Sequence, residues 1–412
     1  MRKLLVMSIT ALLIAGCDIS SDNSFVGEPT SCSNDGQKQF VLDALYDWWL
    51  WNADLPANIS IADYATPEEL VIRVTETYGP QKPDGTPLDR FSTVGSLAAD
   101  QQFFGEGKYE GFGFRFNFVD FLPPFQILGT FVDSPAGASA LARGQTVITL
   151  NGRTPEEIQA AEGINAFFDN TETVTFVVED VQGIELPPIE ITRGIVTIDP
   201  VPQVRTISVG DGVPPVGYIQ FESFISTAHD GIPHDGVNNR DFDAVFGQFA
   251  AAGVTDIIID MRYNGGGLVR TAELLGDYLG SVANPGEVFS RTEFNADRAA
   301  EYNRVDLFAN PAITNGINTS RFIVIASGGT ASAAELVTNS LIPYAEVSIV
   351  GENTFGKPVG QVGIEFCEKI LRPTSFQTTN ALGDGDYFDG LPVDCPAIDD
   401  ATTAVGADDD PR

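Results

Sequence analysis

Two short apolar runs constrain this chain most: Thr255-Asp256-Ile257-Ile258-Ile259-Asp260 and Phe322-Ile323-Val324-Ile325-Ala326. Each is rich in β-branched residues and only five or six residues long, so each predicts a strand buried on both faces. Each is followed by glycines and then by helical spacing, from Val269 to Leu279 and from Ala331 to Leu341. Strand, turn and helix repeated in this way build crossover units on a parallel sheet covered by helices. The texture expected after residue 200 is therefore α/β.

Upstream the texture differs. Phe40, Val41, Ala44, Leu45, Trp48 and Trp49 recur at helical spacing and predict a core stripe. Thr66-Pro67-Glu68-Glu69 predicts a second helix, with Thr66 as cap and Pro67 in the first turn. From Lys108 short β-rich runs take over, including Thr146–Leu150 before an Asn-Gly turn, Thr173–Glu179 and Ile189–Arg193. With 412 residues the chain exceeds one ordinary core. The expected organisation is a helical region over 35–107, a β-rich domain over 108–195, an α/β core over 196–398 and a polar tail over 399–412 that frays from Gly406 onward.

The first residues read as a leader. Arg2 and Lys3 precede an apolar stretch, Leu4 to Ala15, that is too short to span a bilayer. Ile14-Ala15-Gly16-Cys17 closes it in the manner of a bacterial lipobox, which makes 1–16 the signal, Cys17 the acylated residue and 17–34 a flexible tether. That places the chain on the periplasmic side of the cell envelope, anchored by lipid, and Asp18 is the residue type that resembles an inner-membrane retention signal. A net charge of −34 repels nucleic acid and anionic headgroups, so neither is an expected partner. Cys32, Cys367 and Cys395 remain; Cys367 with Cys395 is a candidate bridge that leaves Cys32 unpaired, and the pairing stays open at this level.

Three segments carry chemistry. In Gly328-Gly329-Thr330-Ala331-Ser332-Ala333-Ala334-Glu335 a strand ends, glycines turn the chain and a helix begins near Ser332. Free N–H groups and the helix dipole there favour negative charge, as a tetrahedral acyl-transfer intermediate requires. Taken alone, Ser332 reads first as a helix cap. In Thr354-Phe355-Gly356-Lys357-Pro358-Val359-Gly360-Gln361 a lysine follows an apolar strand and sits beside Phe355. Partial burial would lower the pKa of Lys357 and let it act as a base, with Gln361 holding the neutral amine. In Asp260-Met261-Arg262-Tyr263-Asn264-Gly265-Gly266-Gly267-Leu268 the glycines allow close approach of backbone N–H groups to a ligand, or simply a tight turn.

The order of these segments, and the 25 residues from Ser332 to Lys357, resemble the carboxyl-terminal processing, or tail-specific, serine peptidases. Gly111-Phe112-Gly113-Phe114 looks like the peptide-carboxylate loop of a PDZ domain, which that family carries before its catalytic core. The resemblance implies a multidomain α/β fold: a small N-terminal helical region, a PDZ-like domain and a peptidase core similar to the ClpP/crotonase type. It implies Ser332 as nucleophile, Lys357 as general base, Gln361 as its orienter, Gly266 and Ala333 as oxyanion hole, and Glu335 as a supporting residue. Gly267 stands close enough to compete with Gly266 for that role. The implied partners are protein or peptide substrates with free C-termini, together with an activating partner protein; no cofactor and no metal is implied. Three positions depart from the family pattern: Ala334 stands where serine is common, Pro358 where glycine is usual, and an acid found near Pro343 in some relatives is missing.

Other readings are weaker. Gly351-Glu352-Asn353-Thr354-Phe355-Gly356-Lys357 fits a P-loop until Pro358 takes the place of the magnesium-binding hydroxyl. His229 and His234 sit in a polar loop, and no Gly-x-Ser-x-Gly elbow accompanies them. Asp384, Asp386 and Asp389 suggest calcium until Phe388 occupies a ligand position. The non-enzyme alternative is a catalytically silent, PDZ-bearing peptide-binding lipoprotein, against which the joint presence of Ser332, Lys357 and Gln361 argues. A crotonase-type acyl-CoA enzyme shares the core fold but not the Ser and Lys pair.

Overall fold

The computed structural model describes residues 29–117, 125–226 and 242–412; the leader, Cys17, Asp18, His229 and His234 lie outside the described residues. The two apolar runs form neighbouring parallel strands, with Ile257 beside Phe322 and Ile259 beside Val324. Among the described residues their sheet runs Cys395–Pro396, Glu346–Gly351, Arg321–Ala326, Asp256–Asp260, Val216–Gln220, Gln203–Ile207. Its neighbours are parallel except for the last pair. Parallel strands bring their C-terminal ends to one edge, where open α/β sheets place their sites. The segments after Asp260, Ala326 and Gly351 are the three chemistry-bearing runs, so strand direction alone gathers them there.

The N-terminal region is built into this body. Its helices are Asn34–Trp48, Pro67–Tyr78 and Leu97–Glu106. Ser33 caps the first through Gly36 N–H, and Thr66 caps the second through Glu69 N–H with Pro67 in the first turn. Phe40, Val41, Ala44, Leu45, Leu70 and Val74 share one continuous core with Ile257, Val324, Leu336 and Phe376. The strand Thr93–Ser96 pairs antiparallel with Lys369–Arg372, nearly three hundred residues on.

The disulfide corrects the candidate bridge of the sequence reading. Cys32 pairs with Cys367, and Cys395 is an exposed free thiol. Packing decides this: Phe40, on the helix that begins two residues after Cys32, stacks on Phe366 with ring centroids 4.9 Å apart. That contact brings the start of the first helix to the turn that carries Cys367, while Cys395 lies on the sheet edge against Val350.

The β-rich region has its own core. Its antiparallel sheet runs Phe114–Asn117, Phe125–Thr130, Thr146–Leu150, Thr173–Glu179, Ile189–Thr192. Helices Pro155–Ala161 and Ile164–Asp169 cover it, the first held by a capping box between Thr154 and Glu157. Phe112, Phe114, Phe116, Phe168 and Phe176 form a connected ring cluster inside. The chain enters by Lys108–Gly111 and leaves by Gly194–Thr197, and these two strands pair with Gly111 opposite Gly194.

The tail is docked, contrary to the fraying expected from its polarity. Asp410 is buried against Arg262, and Arg412 donates to the Ala326 carbonyl and to Glu352. Arg143 of the β-rich domain donates to Asp399, to the carbonyls of Asp400 and Thr403, and to the Tyr263 hydroxyl. Buried guanidinium groups need acceptors, and the tail's aspartates supply them. Burial alone would lower the pKa of Arg262; Asp260 and Asp410 more than reverse it.

Candidate active site

Ser332 is the residue before the helix Ala333–Leu341, with φ 56° and ψ −116°. A non-glycine residue is held there only when its surroundings over-determine it. The main restraint is Glu335, three residues on and fully buried. Its Oε2 accepts from Ser332 N–H at 2.8 Å and from Lys357 N–H at 2.8 Å. Its Oε1 accepts from the Thr354 hydroxyl at 2.5 Å and from Gly356 N–H at 2.7 Å. One carboxylate therefore ties the backbone of the serine segment to that of the lysine segment. Complete burial raises the Glu335 pKa, and the four donors oppose that rise.

Lys357 is only 5% exposed, so its amine stands in a nearly dry setting. Its Nζ donates to Gln361 Oε1 at 2.8 Å and lies 5.0 Å from the centre of the Phe91 ring. Gln361 is fully buried, and its Nε2 donates to the carbonyls of Phe91 at 2.7 Å and Arg372 at 2.8 Å. Both amide hydrogens are thus committed to carbonyls, which leaves Oε1 as the atom that faces the lysine. In a neutral amine, one N–H bound to Oε1 fixes the direction of the lone pair.

The glycine run closes on the same point. A Cβ on Gly266 would come 2.8 Å from Ser332 Cβ and 2.9 Å from Ala333 N, and its φ is +98°. Only glycine allows this approach. Ala333 N–H belongs to the first helical turn, whose N–H groups lack intrahelical acceptors. Gly266 N–H donates to Asn264 Oδ1 at 2.8 Å, while Asn264 Nδ2 donates to the Phe221 carbonyl and its own carbonyl accepts from Ala331 N–H. Asn264 thus links the glycine run to the serine segment.

The structure brings Ser332, Glu335, Lys357, Gln361, Gly266 and Ala333 into one connected cluster. The Gly111–Phe114 loop belongs to the β-rich domain, and its Phe114 lines a pocket shared with Gly265 of the glycine run and Gly329 of the serine segment. Its Phe112 carbonyl accepts from Ala136 N–H and its Gly113 carbonyl from Phe131 N–H, so the following Ser134–Gly137 turn buttresses it. The strand Phe114–Asn117 is the first in its sheet order, with Phe125–Thr130 as its neighbour there.

Sequence reasoning missed Asp89 and the residues it holds. This fully buried acid accepts from Trp49 Nε1, from the N–H groups of Phe91 and Ser92, and from the hydroxyls of Ser92 and Thr374. It fixes Phe91, whose carbonyl orients Gln361 and whose ring faces the lysine. An Asp followed three residues later by Ser after a predicted helix was the available signal, and it reads as an ordinary turn.

The sequence matches a model of peptidase family S41 over residues 215–383 and a model of the peptidase S41 N-terminal domain over residues 36–93. It is 23% identical over 332 residues to a carboxyl-terminal-processing protease of Synechocystis, covering 77% of this chain and 68% of that one. It is 26% identical over 239 residues to the chloroplastic carboxyl-terminal-processing peptidase 1 of Arabidopsis thaliana, covering 56% of this chain and 43% of that one. The chain thus spans about two thirds of the first relative and less than half of the second. A solved S41 protease structure from Bacteroides fragilis superposes with a TM-score of 0.67 at 22% identity, over 88% of this chain and 90% of that one. A photosystem II D1 C-terminal processing protease gives 0.54 at 16% identity, over 89% and 94%. At these identities the structural likenesses speak for the fold.

Proposed function

Because the chain belongs to peptidase family S41, a family of serine-type peptidases, we propose that it cleaves peptide bonds near the C-termini of protein substrates through Ser332 and Lys357. The observation that carries this reading is Glu335: a single buried carboxylate oxygen accepts from the backbone N–H of both residues. Neutral Lys357, held by Gln361, takes the Ser332 hydroxyl proton as the oxygen attacks the substrate carbonyl. The oxyanion accepts from Ala333 N–H and from the glycine run, where it would compete with Asn264 Oδ1 for Gly266 N–H. Such a donor is worth about 3 kcal/mol in the transition state. The lysine then protonates the leaving amine, and water, deprotonated by the same amine, releases the acyl group.

The Gly111–Phe114 domain is read as PDZ-like, taking a substrate's free C-terminus as an added strand beside Phe114–Asn117. Export, acylation at Cys17, anchoring on the periplasmic side with Asp18 favouring the inner membrane, and an activating partner protein belong to the same proposal. They rest on the sequence alone.

The test is cleavage of an unstructured polypeptide with an apolar C-terminus. Wild type should cleave it, and Ser332→Ala and Lys357→Ala should each lower kcat/KM by about 10⁴-fold or more. A Ser332→Ala protein that cleaves at the wild-type rate contradicts the mechanism. Tail-peptide binding without turnover in any variant, wild type included, would instead favour a silent peptide-binding protein.

A further inference from the structure

Tyr263 stands three residues before Gly266, directly ahead of Asn264. Asn264 is fully buried and shapes the glycine run. Its Oδ1 accepts from Gly266 N–H, its Nδ2 donates to the Phe221 carbonyl, and its own carbonyl accepts from Ala331 N–H of the serine segment. Whatever fixes the backbone at Tyr263 therefore acts on the residue that touches both halves of the oxyanion hole.

The Tyr263 hydroxyl is held from two distant parts of the chain. It donates to Asp399 Oδ2, 136 residues on, and accepts from Arg143 Nη1 at 2.8 Å, 120 residues back. Those partners also hold each other, Arg143 Nη2 donating to Asp399 Oδ1 at 2.7 Å. Arg143 Nη1 donates as well to the Leu128 carbonyl at 2.7 Å, which anchors the clamp in the β-rich domain. Asp399 Oδ1 takes a further bond from Arg262 Nη1 at 3.3 Å. Burial, and then the charge of Asp399, raises the Tyr263 pKa, so the hydroxyl keeps its proton and remains a donor. Burial opposes the charge on Asp399, but Arg143 and the Tyr263 hydroxyl more than offset it, so the acceptor stays ionised. Bonds to charged partners are the strong ones, and this phenol has one in each direction. Its ring lines a cavity of about 90 Å³ with Phe114, Gly265 and Gly329. Arg115, paired with Glu222, lies 5.6 Å from the ring centre. Phenylalanine would fill the same space, and the hydroxyl adds only the two charged ties.

We propose that Tyr263 is a positioning residue for the oxyanion hole: its hydroxyl, clamped between Arg143 and Asp399, holds Asn264 and with it Gly266 in place against Ser332. The inference rests on the Ser332–Lys357 reading, which makes Gly266 an oxyanion donor. Tyr263 acts through the glycine run and not on the peptide, so it serves the transition state and leaves substrate affinity alone. A shift of about 1 Å at such a group costs on the order of 100-fold in rate. Arg262, tied to Asp260 and Asp410, still restrains the run when the hydroxyl is gone, so the loss is smaller than that.

The test compares wild type with Tyr263→Phe on a labelled decapeptide with an apolar C-terminus. In the variant kcat should fall about tenfold while KM stays within about twofold, and the limb of the pH profile set by the general base should not move. A peptide aldehyde reads the same donor. The Ser332 oxygen bonds its carbonyl carbon, the serine proton passes to Lys357, and the carbonyl oxygen becomes the anion. Tyr263→Phe should weaken this inhibitor by the same factor as kcat and leave binding of the matching peptide alcohol unchanged. Arg143→Met acts on the same hydroxyl, so the double variant should lose no more kcat than the worse single variant. Amide exchange over residues 264–268 should quicken in Tyr263→Phe, with protection of the strand Asp256–Asp260 unchanged. Equal kcat in the two proteins, or losses that multiply in the double variant, overturns the inference. So does a loss confined to KM, which would make Tyr263 a substrate contact. Faster exchange in the variant without any cleavage by wild type sinks the peptidase reading and keeps Tyr263 as the tie on the glycine run, whereas cleavage at equal kcat with unchanged exchange does the reverse.

Discussion

The N-terminal helices and the β-rich domain are both additions to the catalytic sheet, but they are attached in opposite ways. The helices share the sheet's apolar core, donate a strand to Lys369–Arg372, and hold Gln361 through the Phe91 carbonyl. The β-rich domain keeps a separate phenylalanine core and meets the rest through polar links, Arg115 with Glu222 and Arg143 with Asp399. Its entry and exit strands are paired at Gly111 and Gly194. The first addition is therefore part of the machine that sets the lysine, and the second is a module hung from it.

The largest effect should come from removing each in turn. Deleting residues 29–106 strips the sheet's core of Phe40, Leu45, Trp49 and Val74 and should leave no cooperative unfolding transition in calorimetry. Replacing residues 112–193 by a short glycine linker should leave one, because the ends already sit side by side. Survival of the first deletion, or collapse of the second, would break the comparison.

Next in size is the disulfide. Cys32 and Cys367 are 335 residues apart, and opening so long a loop in the unfolded chain should cost about 3–5 kcal/mol in Cys32→Ser. Denaturant titration should assign that loss to the catalytic body. The β-rich domain, monitored by protection of Phe114–Phe116 amides, should keep its local stability.

A smaller effect comes from pH. Glu273 on the helix Val269–Gly280 has its pKa raised from 4.5 to about 7, first by burial and then by the charge of Asp306, against the pull of Arg304. Folded protein therefore holds a proton there that the unfolded chain has lost. This contribution is fully present below the unfolded value and disappears as pH rises through about 7. The side chain is 27% exposed, so screening trims the effect, to about 1–3 kcal/mol. Glu273→Gln should flatten the stability profile of the catalytic body across that window, and an unchanged slope would contradict the assignment.

What could be read from the sequence follows from distance along the chain. Ser332 and Glu335 lie three residues apart on one helix start, and Lys357 and Gln361 lie on one turn and strand, so their local relations are written in short motifs. The parallel order of the strands then follows from the apolar runs. Asp89 was not readable, because its partners Trp49 and Thr374 lie 40 and 285 residues away and are united only by the folded core. The same holds for the Cys32–Cys367 pair and for the tail, whose aspartates look solvated until the fold sets Asp410 against Arg262 and Asp399 against Arg143. The Asn264 bond to Gly266 N–H is a matter of one side-chain rotamer, which a motif does not encode.

The central claim is that Ser332 is the nucleophile and Lys357 its base. The most direct measurement is mass mapping of the adduct formed with a serine-reactive fluorophosphonate, compared between wild type and Lys357→Ala. The account predicts a single adduct on the peptide containing Ser332, formed at least about a hundredfold more slowly without the lysine. An adduct on another serine, or equal labelling rates at Ser332 in the two proteins, would contradict it.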